Sequence, residues 1–478
     1  MTRSPDDVLA ELEALRAADP PTHGGRVLSY VYDPGHPDLD RLAERAAAAF
    51  LPVNGLDPTT FTSVAVLERA LVARARSLFH GDEEVVGSVT SGGTESCLLA
   101  VKAARETWRA ADPSRATARA AIVLPTTAHP AFHKAAAYLD LDVVAVPVGP
   151  DGRADAARLL AALDSLGPRA ALVVVSAPCY PFGALDPVEE VAAGAVRRGV
   201  ACHVDACLGG WVLPWWGDLP AWDLAVPGVT SLSADLHKYG YAPKGVSVLL
   251  HRGRERHAAQ YFATTAWPGY PVVNPTVLGS RAAGAMAAAW ALGEVLGDEG
   301  YAALVGRARS ATRRLRQVLD GLDGVRVVGD PVGPLLALAA DGPGGVDPFR
   351  LVDALRGRGW LAQCQPAMRQ PDGTVLPRTA HLTLTAATED VAEELATDLV
   401  RAADEVRGAP AASGDPTLVQ RVLTEGLPDE LAGVMATIES LPADVVRPAL
   451  VHVLQTAIDP DAPVRNDVRP GERSSHQA

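Results

Sequence analysis

The chain has 478 residues, 48% hydrophobic and 21% charged, a globular composition with enough apolar material for two or three cores that excludes a disordered scaffold. Its 43 Lys plus Arg against 57 Asp plus Glu leave a formal net charge of −14, which argues against nucleic-acid or anionic-membrane binding, since both need clustered positive charge. No apolar run reaches the ~18 residues that span a bilayer, and the early acidic residues Asp6, Asp7, Glu11 and Glu13 leave no basic-then-apolar signal peptide, so the expectation is a soluble, cytoplasmic protein.

Residues 1–80 are expected to form an N-terminal helical segment. From about 85 to 250, short β-branched runs at 121–124, 143–148, 171–176, 201–204, 230–233 and 246–250 alternate with helical patterns at 96–109, 131–139 and 188–198. That alternation predicts a large α/β domain, residues 81–320, built on a mostly parallel sheet covered by helices. A long helical stretch at 281–319 leads into a second alternating region. Strands at 325–328, 335–340 and 381–385, with helices at 348–358 and 389–406, predict a smaller α+β domain over 321–408. The Pro- and Gly-containing run 408–416 reads as a linker into two short helices, a C-terminal helical extension over 409–458. The polar stretch 459–478 is expected to be a disordered tail. Five scattered cysteines without a Cys-x-x-Cys pair indicate neither a disulfide framework nor a zinc site, and no metal is expected. The aromatic cluster Trp211, Trp215, Trp216 and Trp222 is read as core or interface packing rather than a lipid-contact surface.

Three motifs carry chemistry. In Val89-Thr90-Ser91-Gly92-Gly93-Thr94-Glu95-Ser96 a Gly-Gly turn with flanking hydroxyls runs into a helix, whose unpaired N–H groups and partial positive charge make a phosphate cradle. Alone, the same turn is also an ordinary capped helix start. In His203-Val204-Asp205-Ala206 an apolar strand delivers a carboxylate to its C-terminal end, the ligand-binding edge of an open α/β sheet. Asp205 there either keeps a ring nitrogen protonated or caps the next turn, while His203 points to the opposite face and is read as packed. Third, Lys238 follows a buried strand within Ser231-Leu232-Ser233-Ala234-Asp235-Leu236-His237-Lys238-Tyr239-Gly240, among aromatic and small residues. Desolvation is expected to lower its pKa and free the amine for Schiff-base chemistry.

Jointly, an anchor for a phosphate, a partner for a pyridinium nitrogen and an amine for an aldehyde are the parts that pyridoxal 5'-phosphate requires. His129, at a helix start, is placed to stack on the cofactor ring or to cap the helix.

These three strings resemble the sphingosine-1-phosphate lyases, fold-type-I pyridoxal-phosphate enzymes related to the group II amino-acid decarboxylases. Further matches are Asn274-Pro275-Thr276-Val277-Leu278-Gly279-Ser280-Arg281 and the terminal Gly433-Val434-Met435-Ala436-Thr437. The resemblance implies a fold-type-I transferase-like α/β architecture with a seven-stranded sheet. It implies that Lys238 binds the cofactor aldehyde, Asp205 pairs with the pyridine nitrogen and His129 stacks on the ring. Gly93, Thr94 and His237 would hold the phosphate, beside Ser91 and Gly92 that the cradle motif itself marks as cofactor-binding; Ser280 would help from the neighbouring subunit of a homodimer, and Lys244 would meet a substrate phosphate. Two departures lie where the family handles substrate: Phe182 stands in Tyr180-Pro181-Phe182-Gly183 in place of a polar residue, and the upstream Asn-x-x-His-Pro-Asp motif is degraded to Asn54-Gly55-Leu56-Asp57-Pro58.

The expected activity is carbon–carbon cleavage of a β-hydroxy amine, phosphorylated or not, by retro-aldol chemistry, with Lys238 or His237 moving protons. Decarboxylation of an amino acid is the alternative and aminotransfer stands third. The expected partners are a small amine or amino-acid substrate and a second copy of the chain, with no nucleic acid and no integral membrane segment. Phe182 is expected to weaken phosphate recognition and favour a smaller substrate.

Overall fold

Runs such as Ala-Ala-Leu-Val-Val-Val-Ser at 170–176 carry no polar alternation, and strands of that kind are stable only when both faces are covered. In the computed structural model, which describes residues 3–415, 417–418, 421–422, 428 and 430–461, they form the middle of a seven-stranded sheet. Its strands are β1 (Val85–Thr90), β2 (Ala121–Pro125), β3 (Asp142–Val146), β4 (Ala170–Ser176), β5 (Ala201–Asp205), β6 (Ser231–Ala234) and β7 (Ser247–Arg252), in the order β1-β7-β6-β5-β4-β2-β3. All pairings are parallel except those of β7 with β1 and β6. The carboxyl ends of β1, β5 and β6 therefore share one edge.

Strand β1 was not among the predicted runs, because Gly87 interrupts its apolar pattern. A β-carbon there would overlap the Leu249 carbonyl, so the close approach of β7 requires glycine. Helices α1 (Pro5–Arg16), α2 (Pro37–Ala49) and α3 (Thr62–Leu78) precede the sheet, and α4 (Gly93–Ala110), α5 (Ala131–Leu139), α6 (Ala156–Leu166) and α7 (Val188–Arg197) lie between its strands. The short α8 (Arg254–Ala258) and the hairpin β8 (Phe262–Thr264) with β9 (Val272–Asn274) follow it. Helix α9 (Gly284–Leu319) fills the predicted long helical stretch but is broken at Gly297, whose φ is +55°. Trp211 and Trp222 pack on Phe79, Trp215 stacks on Tyr301 at 5.3 Å, and Trp216 is partly buried against the same core, so all four tryptophans pack on the large core.

The smaller sheet is antiparallel, in the order β10-β11-β15-β12, from β10 (Val325–Val327), β11 (Leu335–Ala340), β12 (Gln363–Gln365) and β15 (Thr379–Thr383). A hairpin of β13 (Met368–Arg369) and β14 (Val375–Leu376) projects from it. Helices α10 (Pro348–Arg356) and α11 (Ala392–Val406) cover the sheet over a separate core that holds Trp360, whose indole N–H donates to Asp398 at 2.9 Å. The N-terminal segment joins this unit. Leu28 N–H donates to the Leu361 carbonyl at 2.7 Å, and Thr383 N–H donates to the Leu28 carbonyl at 2.8 Å, so residues 26–29 lie as a strap beside β12 and β15.

The extension carries α12 (Ala432–Ser440) and α13 (Ala443–Ile458). Arg378 ties the first of these down by meeting both Asp347 at 2.7 Å and Glu439 at 2.8 Å. Most of the expected tail, residues 462–478, lies outside the described residues. No helix among the described residues is long and apolar enough to cross a membrane.

Candidate active site

The turn from β1 into α4 is built tightly. Buried Glu95 accepts the Ser91 N–H at 2.6 Å with one oxygen and the Val277 N–H at 2.7 Å with the other, fastening the turn to the 276–281 loop. Arg281 braces the same turn, reaching the Val89 carbonyl at 2.8 Å and Glu68 at 2.5 Å. Gly92 has φ +150°, and α4 starts there without a side-chain cap, which leaves its first N–H groups to meet a ligand. A β-carbon on Gly93 would fall 2.7 Å from an Asp235 oxygen and 2.8 Å from Cys207 Sγ, and one on Gly92 would fall 3.1 Å from the His237 ring. Only glycine fits the cradle. Ser91 and Thr94 flank it with exposed side chains.

Asp205 ends β5 and accepts the Cys207 N–H at 3.0 Å. Burial would raise its pKa, but the fields of His129 and Lys238 outweigh it and hold the group below the usual carboxylate range. It is thus an anion suited to a protonated ring nitrogen. His129 Nδ1 accepts the Ala131 N–H at 3.2 Å, and its pKa is lowered, chiefly by desolvation, so the ring is neutral near pH 7. His203 is fully buried and its two ring nitrogens meet Ser231 at 2.8 Å and Ser233 at 3.1 Å, the packed position expected for it.

Lys238 corrects one expectation. Desolvation does act to lower its pKa, but Asp235, 3.0 Å from Nζ, with lesser help from neighbouring groups, outweighs it and holds the amine well above its ordinary value. The amine of the free protein is therefore a protonated partner in an ion pair, not a free base. Asp235, three residues earlier in the same run, was overlooked, and its i, i+3 spacing from the lysine across the turn after β6 was the available signal. The same carboxylate oxygen lies 3.6 Å from His237 Nε2, while its other oxygen is buried without a partner. Lys244 Nζ donates to the His237 carbonyl at 3.1 Å and sits 4.7 Å from the Tyr32 ring centre. Tyr32, also unforeseen, packs edge-on against Tyr239 at 5.1 Å.

Lys238, His237, Asp205, His129, Gly92 and Gly93 converge within this chain. Ser280 does not join them: it is exposed and accepts the Asn54 amide N–H at 3.2 Å, so the degraded upstream string packs on the Gly279-Ser280-Arg281 turn. Phe182 corrects a second expectation. Its ring is buried where a β-carbon on Gly152 would overlap it, so it fills core space beneath the 149–152 turn. Tyr180, two residues earlier, is the member of that string whose phenol feels the Lys238 charge.

A glycine-lined helix start that no side chain caps, a strand-end carboxylate and an amine, all at one sheet edge, define a fold-type-I pyridoxal-phosphate-dependent enzyme of the lyase class. The pyridoxal-dependent decarboxylase conserved domain matches residues 54–316. The chain is 35% identical to sphingosine-1-phosphate lyase of Dictyostelium discoideum, over 74% of this chain and 66% of that protein, and thus spans about two thirds of its length. It is 34% identical to sphingosine-1-phosphate lyase of Oryza sativa subsp. japonica, over 85% of this chain and 74% of that one. The solved sphingosine-1-phosphate lyase of Burkholderia pseudomallei superposes with a TM-score of 0.77 at 33% identity, covering 85% of this chain and 92% of that one. The chain belongs to the pyridoxal-dependent decarboxylase family, in the group that holds the sphingosine-1-phosphate lyases.

Proposed function

We propose that this enzyme cleaves the carbon–carbon bond of a β-hydroxy amine by a retro-aldol reaction, giving an aldehyde and a smaller amine. The observation that carries this reading is the convergence of Lys238, Asp235 and His237 beside the Gly92-Gly93 turn, with a second amine, Lys244, held on the His237 carbonyl at 3.1 Å. Bound pyridoxal phosphate supplies an electron sink for the pair left when a bond at the amine-bearing carbon breaks.

The chain's own residues do the rest. The first N–H groups of α4 and the Thr94 hydroxyl would hold the cofactor phosphate, with His237 backing the turn. Asp205 would keep the ring nitrogen protonated, and His129 would cover one face of the ring as a neutral imidazole. Lys238, which would hold the cofactor aldehyde, would in its neutral form accept the β-hydroxyl proton at Nζ and return a proton to carbon. Asp235, 3.0 Å away, offsets the positive charge that Nζ carries between those transfers.

We read the active unit as a homodimer acting in the cytoplasm. Phe262, Trp267, Tyr270, Val273 and Val277 are all exposed around the β8–β9 hairpin, a face that a second copy would cover. The cysteines are all unpaired, in keeping with a reducing compartment.

Incubation of purified enzyme with a phosphorylated sphingoid base, short β-hydroxy amines and a panel of amino acids, followed by mass spectrometry, tests the reaction. Aldehyde plus amine is the expected outcome, whereas carbon dioxide plus amine, or a keto acid, would replace this reading with decarboxylation or aminotransfer.

A further inference from the structure

Four residues from three distant parts of the chain meet beside the cleft. Tyr180 follows β4 and donates its hydroxyl proton to Gln363 Oε1 at 2.7 Å. Ser29, at the end of the strap, donates to the same oxygen at 3.4 Å. Gln363 Nε2 in turn donates to the Tyr30 hydroxyl at 3.3 Å. The His381 ring lies against the Tyr180 ring at 4.4 Å and fixes the phenol from behind. The constellation runs from partly buried Tyr180 out to Tyr30, which is 71% exposed. Tyr30 also holds a backbone φ of +65°, a conformation that costs a bulky residue energy and persists where the surroundings impose it.

The hydrogen-bonding capacity left over is specific. Both acceptor positions of the Gln363 carbonyl are taken, by Tyr180 and Ser29. One Gln363 N–H is spent on Tyr30 and the other is open, as is the proton of the Tyr30 hydroxyl. The collar thus presents two neutral donors side by side. A saturated alkyl chain passing over them would strip their water and return nothing, whereas an oxygen-bearing chain would accept both protons.

We propose that Tyr30, Tyr180 and Gln363 are specificity-determining residues that select a short, oxygen-bearing β-hydroxy amine over one carrying a long alkyl chain. This names the substrate class and rests on the lyase reading above. Within the Tyr180-Pro181-Phe182-Gly183 string the selection acts through Tyr180 and not through buried Phe182.

The test compares the holoenzyme with Gln363→Leu and Tyr30→Gly, the second of which relieves the backbone conformation and so is not expected to unfold the chain. Specificity constants are measured for a short hydroxylated β-hydroxy amine and for a long-chain phosphorylated sphingoid base. In parallel, dissociation constants for both amines are read from the change in the cofactor's visible absorbance. The expected result is a fall of about tenfold or more in the short-over-long ratio in both variants, seen in KM and in the dissociation constants more than in kcat. A ratio that stays within about twofold of the parent in both variants overturns the proposal. If neither amine is cleaved but the binding ratio shifts as stated, the collar stands and the retro-aldol reading falls.

Discussion

Lys238 Nζ lies 3.0 Å from an oxygen of Asp235, three residues earlier in the chain, and that carboxylate keeps the amine protonated against the pull of its own burial. Removing the charge leaves desolvation in command. Asp235→Asn is therefore expected to lower the Lys238 pKa. The apoprotein should then capture pyridoxal phosphate at a lower pH than the parent, read by borohydride reduction across a pH series. Peptide mapping should place the label on Lys238 in both proteins. A label on Lys244, or a capture profile that does not move, would contradict the assignment.

Gly93→Ala places a carbon 2.7 Å from an Asp235 oxygen and 2.8 Å from Cys207 Sγ, two groups held by the site itself. The turn must shift to admit it. Cofactor affinity is expected to fall by about tenfold or more while the sheet stays folded. Equilibrium dialysis against pyridoxal phosphate, with circular dichroism on the same sample, measures both. Undiminished affinity would remove Gly93 from the cradle.

Lys244 is pulled down to about 8, by desolvation first and then by Lys238. It is charged below that value and neutral above it. For a phosphorylated amine, kcat/KM is expected to fall as pH rises through about 8, and for the same amine without phosphate the fall should be absent. Identical profiles for the two substrates would take Lys244 out of phosphate recognition.

His203, His251 and His381 are fully buried and desolvation depresses them to about 4, about 3 and about 4. Their unfolded value is near 6.5. Between the folded and unfolded values the unfolded chain binds more protons, so stability present above pH 6.5 is lost as the pH falls toward 4. At pH 5 the cost is roughly 2 kcal/mol for each of the three. Thermal unfolding of the holoenzyme should show a Tm that drops steadily from pH 7 to pH 5. Replacing His251 by Gln should flatten that slope, and a parent Tm insensitive to pH in this range would rule the account out.

The large sheet was legible because its central strands are buried on both faces and so read as unbroken apolar runs. The run at 335–340 and the helix at 131–139 coincide with β11 and α5. Strand β1 was not, since Gly87 answers to a neighbouring backbone and not to its own periodicity. The candidate cofactor-binding residues could be picked out from the sequence because Gly92-Gly93, Asp205 and Lys238 each sit next to a strong local pattern, at a strand end or a helix start. Glu95, Tyr32 and Gln363 have no such local sign. Their importance comes from what the fold brings beside them: the 277 loop for Glu95, Lys244 for Tyr32 and Tyr180 for Gln363. Phe182 shows the converse, a conspicuous departure in sequence that the fold turns into core.

The strap at residues 26–29 hydrogen-bonds to Leu361 and Thr383, so the backbone that leads to Tyr30 and Tyr32 is anchored to the smaller sheet although it precedes the larger one in the chain. A rotation of the smaller unit about the larger would therefore carry Tyr30 and Gln363 together, leaving Tyr32, Lys238 and Tyr180 behind on the other side. Opening the cleft in that way would break the Tyr180–Gln363 hydrogen bond while Tyr32 stayed over Lys244, so that release of product would dismantle the polar collar and leave the second amine in place.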